Sequence, residues 1–155
     1  MTDATKSTAD WVDKMQEEPE LHRVSLLSGD TVKIEPVSWL WSGWLARGKM
    51  EIIAGPPGTG KTTIALALAS TVSSGGKWPD QTLASHGRVV IWSGEDDPSD
   101  TLAPRLIAMG ADMSRISFVT GTVDENGKRP FDPAEDTLAL CDALASNGAD
   151  LLIID

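Results

Sequence analysis

The stretch Gly55-Pro56-Pro57-Gly58-Thr59-Gly60-Lys61-Thr62 constrains the fold of this 155-residue chain more than any other. A first glycine, four residues, then Gly-Lys-Thr is the spacing of a phosphate-binding loop, in which successive backbone N–H groups turn inward around an anion at the positive end of a helix. The inward turn needs conformations that glycine tolerates. It also needs a strand before it and a helix after it, and both are readable. Met50 to Ala54 is an apolar run of strand length, and Thr62 to about Ser73 has helical period. The reading places Gly55, Pro56, Pro57, Gly58, Thr59, Gly60, Lys61, Thr62 and Thr63 around a nucleotide. Lys61 supplies a point charge to the β- and γ-phosphates, and Thr62 offers its hydroxyl to a metal ion. ATP and Mg2+ are the expected ligands.

From residue 50 onward, apolar runs of strand length alternate with segments of helical period, the signature of an α/β layer fold. The strands expected are Met50 to Ala54, Arg88 to Ser93, Ile116 to Val119 and Leu151 to Asp155. Between them lie helical patterns from Thr62, from Ser99 to Met109, and from Pro133 to about Ala145. Crossovers of this length make the sheet mostly parallel. Residues 1–30 read as a polar, flexible arm and residues 31–155 as the nucleotide-binding core, with residues 31–37 as a weakly alternating edge strand.

Hydrolysis requires a carboxylate near the γ-phosphate, and in open parallel sheets such groups stand at the C-terminal ends of strands. Two ends qualify. Ser93-Gly94-Glu95-Asp96-Asp97 follows the second strand, and Leu151-Leu152-Ile153-Ile154-Asp155 is an apolar strand closing in Asp. The second has the form of a Walker B strand, which directs Asp155 towards the magnesium waters together with Thr62. Glu95 is assigned as the catalytic carboxylate because it lies nearest the strand end, with Asp96 as the alternative. The acids at 96, 97 and 100 also suit the N-terminal end of the helix that follows.

Composition narrows the class. Cys141 is the sole cysteine, so no internal disulfide forms, and with two histidines it cannot complete a four-ligand zinc site. A net charge of -10, heaviest after residue 110, is not that of a protein that coats nucleic acid nonspecifically. The start, Met1-Thr2-Asp3-Ala4-Thr5, lacks the pattern of a signal peptide, and no apolar run reaches membrane length. The expectation is a cytoplasmic protein with no membrane partner. Trp39, Trp41 and Trp44 read as a core staple, with stacking on a base or a subunit contact as the alternative. Arg105 reads as a surface partner of Asp100 or Asp112, while His22 and His86 read as loop residues with no partner in view and stay unassigned.

Several stretches together resemble one family. Trp39-Leu40-Trp41, Gly48-Lys49, the GPPGTGKTT loop, Gly75-Gly76-Lys77-Trp78-Pro79-Asp80 and IWSGEDDPSDTLAPRL from Ile91 to Leu106 are similar to RecA-type ATPases, in particular the RepA-like replicative helicases of plasmids and prophages. The resemblance covers residues 36–155. It implies a RecA-like P-loop core, a catalytic Glu at the position of Glu95, single-stranded DNA as partner, and self-association into a hexamer with ATP held between subunits. AAA+ proteins, by contrast, carry their catalytic Glu just after the Walker B Asp. In the family, further strands follow Walker B, and the first of them inserts between the Walker B strand and the phosphate-loop strand. The resemblance therefore makes residues 50–54 and 151–155 non-neighbours and implies weak turnover by this segment alone. A RecA-like accessory ATPase without unwinding activity and a nonenzymatic nucleotide-binding module are the alternatives.

Overall fold

The computed structural model describes residues 24–155, so most of the expected N-terminal arm lies outside the described residues. The chain divides into two units, residues 1–36 and 37–155. In the first, Gly29–Thr31 forms one 3-10 turn, closed by the Thr31 hydroxyl donating to the Ser28 carbonyl at 2.8 Å. The edge strand expected at residues 31–37 does not form. Val32, Ile34 and Val37 are exposed and join no ladder, so no cross-strand pairing offsets the entropy of holding the segment extended.

The second unit is an α/β layer structure. It opens with a hairpin, β1 (Trp39–Trp41) against β2 (Leu45–Ala46), and the phosphate loop leads into α1 (Lys61–Ser74). Next come β3 (Val89–Trp92), a π-helical turn Pro98–Leu102 running into α2 (Ala103–Ala108), and β4 (Ile116–Phe118). A second hairpin, β5 (Thr122–Asp124) with β6 (Gly127–Arg129), precedes α3 (Thr137–Asn147) and β7 (Leu151–Ile154). The central sheet has the order β4-β3-β7, and both of its pairings are parallel. Helical crossovers between consecutive strands produce this arrangement, as the alternating pattern predicts.

Three of the four expected strands are present within a residue or two of their expected ends. The fourth is a correction. Met50 to Ala54 forms no ladder with β7 or with any described strand, and Ile52 is 77% exposed. Its apolar pattern is that of a buried strand, but strand formation needs a partner on at least one edge, and β7 pairs only with β3. The third helix also begins later than expected, at Thr137, because Asp132 and Asp136 close a turn ahead of it. The β5–β6 hairpin was not expected from the sequence pattern.

The core lies between α1, β3 and α2. Leu66, Ala69 and Val72 recur at helical spacing on α1 and pack with Val89 and Ile91 of β3 and with Leu102 and Leu106 at α2. Val89, Val90 and Ile91 are all buried, as in a parallel strand covered on both faces. Trp78 joins this cluster at 2% exposure, stacked flat on Trp41 with ring centroids 4.8 Å apart. Trp41 in turn stacks on Trp44 at 5.3 Å and donates its indole N–H to Asp80 at 3.0 Å. Trp41 is thus the staple that the sequence suggests, with Trp78 as its partner, while Trp39 and Trp44 stay exposed. Arg47 ties the first hairpin to the chain before β7 through a 2.7 Å ion pair with Asp150. Burial pushes the Asp150 carboxyl up, but Arg47 and the Arg88 amide outweigh it and the net shift is downward. Among the described residues no helix is long and apolar enough to cross a membrane.

Candidate functional site

The phosphate loop is built at the N-terminal end of α1. Gly58 and Gly60 hold φ of +77° and +85°, and Gly60 is the N-cap, so both glycines stand in the left-handed region that side chains avoid. The Thr59 hydroxyl donates to the Pro56 carbonyl at 2.8 Å and closes the loop on itself. No acidic residue occupies the first turn of α1, which leaves the positive helix end open to an anion. The Lys61 ammonium folds over the loop and donates to the carbonyls of Gly55 at 3.1 Å and Pro56 at 3.2 Å. It thus stands over the loop whose backbone N–H groups would hold a phosphate.

Adjacent residues of α1 reach two different parts of the site. The Thr62 hydroxyl donates to Asp155 Oδ2 at 2.9 Å, which joins the loop to the end of β7. The Thr63 hydroxyl, about 100° round the helix, accepts from Arg105 Nη2 at 2.7 Å. The Thr63 hydroxyl therefore faces α2. Arg105 is a correction. It pairs with neither Asp100 nor Asp112; its other nitrogen lies 3.8 Å from Asp96 Oδ2, and Asp112 is taken by Arg115.

The acidic turn after β3 is held from several sides. The Gly94 amide donates to the Asp155 carbonyl at 3.0 Å, and the Asp155 amide donates to the Trp92 carbonyl at 3.0 Å. The Ser93 hydroxyl accepts from the amides of Asp96 at 3.0 Å and Glu95 at 3.3 Å. Asp97 caps the π-helical turn: the Ser99 hydroxyl and amide donate to it and hold its carboxyl below the ordinary range. Glu95 is exposed, and its carboxylate has no hydrogen-bond or ion-pair partner among the described residues. Glu95 and Asp96 also line an open cleft of about 500 Å³ with Trp92, Phe118 and Phe131.

The ends of β3 and β7 therefore stand beside each other, with Asp155 hydrogen-bonded to the first turn of α1 and the acidic turn bonded to Asp155. Among the described residues no cluster of three or more His, Cys, Asp or Glu side chains forms. A divalent ion here would draw on Thr62 and Asp155, with phosphate oxygens and water completing its shell, a donor set that suits Mg2+.

With this geometry in view, the comparison with known families is decisive at one level. A family model described as the AAA domain matches residues 16–155. The chain belongs to the AAA-domain family. That assignment makes it a P-loop ATPase domain, in agreement with the loop and the parallel sheet. No curated protein and no solved structure gives a significant match.

Two features of this AAA domain escaped the sequence reading. His86 contacts the Ser74 carbonyl through Nε2 at 2.7 Å and covers the end of α1; a histidine twelve residues past a helix end gives no periodic signal. Asp136, buried at the start of α3, accepts from both Arg129 terminal nitrogens at 2.8 and 2.6 Å, from Thr122 at 2.8 Å and from the Asp132 amide at 2.9 Å. These donors, Arg129 foremost, hold its carboxyl down to about 2. The cluster fixes the β5–β6 hairpin to α3 and is structural.

Proposed function

We propose that this AAA domain binds and hydrolyses ATP with Mg2+, using Lys61, Thr62, Glu95 and Asp155. The observation that carries the reading is the Thr62–Asp155 hydrogen bond beside the glycine loop, because it joins the expected metal hydroxyl to the expected Walker B carboxylate. Backbone N–H groups from Gly58 to Thr63 hold the phosphates at the positive end of α1. Lys61 leaves the Gly55 and Pro56 carbonyls for the β- and γ-phosphate oxygens, a stronger, charge-assisted partner. Thr62 and Asp155 would hold Mg2+, which would supply positive charge against the charge that develops on the phosphates. Glu95 accepts a proton from the attacking water as its oxygen adds to the γ-phosphorus and the bond to the ADP oxygen breaks. ADP and inorganic phosphate leave.

The finer assignment is a RecA-like motor akin to RepA-like helicases, acting on single-stranded DNA as a hexamer. What supports it is the resemblance at Ile91 to Leu106, which places Glu95 just after β3. Stimulation of ATP turnover by single-stranded DNA tests it against the accessory-ATPase and nonenzymatic alternatives.

Titration of Mg2+ and ATP into the wild-type chain and Lys61→Ala tests nucleotide binding. A charge-assisted contact contributes about 1.5–3 kcal/mol, so affinity should fall by roughly ten- to a hundredfold. Equal affinity in a folded Lys61→Ala protein removes the loop from the site.

A further inference from the structure

Glu95 needs a fixed position relative to the γ-phosphate, yet its own side chain is held by nothing among the described residues. Its location must come from its neighbours. On one side, Gly94 is bonded to the Asp155 carbonyl and so to the end of β7. On the other, Asp96 lies 3.8 Å from Arg105, and the same guanidinium donates to the Thr63 hydroxyl at 2.7 Å. Each Arg105 contact is therefore one residue away from a site residue, Asp96 beside Glu95 and Thr63 beside Thr62.

We propose that Arg105 is a positioning residue that ties the acidic turn to the first turn of α1 and sets where Glu95 stands relative to phosphates bound there. The proposal rests on the ATPase reading above. A planar guanidinium suits the task because its separate nitrogens can engage two partners at a fixed distance, which an ammonium point charge cannot do. The helix that carries it is aimed accordingly. The π-helical turn Pro98–Leu102, with the Leu102 amide donating to the Asp97 carbonyl and the Ala103 amide to the Pro98 carbonyl, places one extra residue ahead of α2. A one-residue change of register rotates a helix by about 100°. The register observed puts Arg105 against Thr63 while the next residue, Leu106, enters the core fully buried.

The test compares wild type, Arg105→Met, Thr63→Val and the double variant in the full chain. Met keeps the apolar stem, so the core at Leu106 is retained. The first readout is amide hydrogen exchange at Glu95 and Asp96, which requires no turnover. Arg105→Met should speed exchange there by about two- to fivefold, as loss of a partly exposed ion pair implies, with β3 amides unchanged. The second readout is steady-state ATPase: kcat should fall by up to about a hundredfold, the cost of misplacing a reacting group by about an ångström, with KM for ATP within twofold. Thr63→Val should act in the same direction, and the double variant should be no slower than Arg105→Met. Unchanged exchange, unchanged kcat, a loss confined to KM, or losses that multiply in the double variant would overturn the proposal. A wild-type chain that binds but never turns over ATP defeats the ATPase reading instead, and the exchange measurement then decides the tie on its own.

Discussion

Thr62 and Asp155 lie 93 positions apart in the chain, yet the hydroxyl of one donates to the carboxylate of the other at 2.9 Å. The contact exists because α1 begins directly after the phosphate loop while β7 runs parallel to β3 and ends at the same edge of the sheet. Asp155 is further bonded through its backbone to Trp92 and Gly94, so the loop, the acidic turn and the Walker B strand meet at one place.

If these two residues share one Mg2+, their contributions cannot be independent. Thr62→Val and Asp155→Asn should each weaken binding of Mg2+ with ADP, and the double variant should lose less than the sum of the two. Groups that share one partner couple by about 0.5–3 kcal/mol. Calorimetric titration over the four proteins measures this coupling, and additive losses would separate the residues.

Acid stability should depend on Asp136. Arg129 and two further donors, the Asp132 amide and the Thr122 hydroxyl, hold its folded carboxyl at about 2, below the ordinary 3.8. A depressed carboxyl contributes stability that is complete above its ordinary value and is lost as pH falls through the folded one. Wild type should therefore be more stable than Asp136→Asn at neutral pH, and the gap should close between about pH 4 and pH 2. Urea midpoints measured at several pH values in this range check it; a gap independent of pH would contradict the assignment.

The tryptophan stack should be energetically graded. Trp78 is 2% exposed and belongs to the core, whereas Trp44 at the other end is 67% exposed. Trp78→Ala should cost about 3–5 kcal/mol of stability, and Trp44→Ala within about 0.5 kcal/mol. Thermal or urea unfolding of both variants decides this, and equal losses would mean that the stack acts as one unit.

Motifs with short, local logic were readable in the sequence. The glycine spacing marks the loop, and apolar runs mark β3, β4 and β7, most clearly β3, whose Val89, Val90 and Ile91 are all buried. The limits are equally physical. Met50 to Ala54 carries a strand's pattern without a ladder, since pairing depends on which neighbour arrives and not on the segment itself. Arg105 was read against acids close in sequence, Asp100 and Asp112, while its partners Asp96 and Thr63 are set by a π-helical turn that periodicity does not reveal. Asp136 and Arg129 meet through a hairpin of three-residue strands, too short for alternation to register.

The central claim is that this chain hydrolyses ATP with Glu95 as proton acceptor. The direct measurement is ATP binding and turnover in the presence of Mg2+ for wild type, Glu95→Gln and Asp96→Asn. Gln preserves shape but cannot take the proton, so Glu95→Gln should bind ATP as wild type does and lose turnover by about 10²–10⁴-fold. Asp96→Asn should retain measurable hydrolysis. Normal turnover by Glu95→Gln, with Asp96→Asn inactive, would contradict the account and move the catalytic role one residue along the turn.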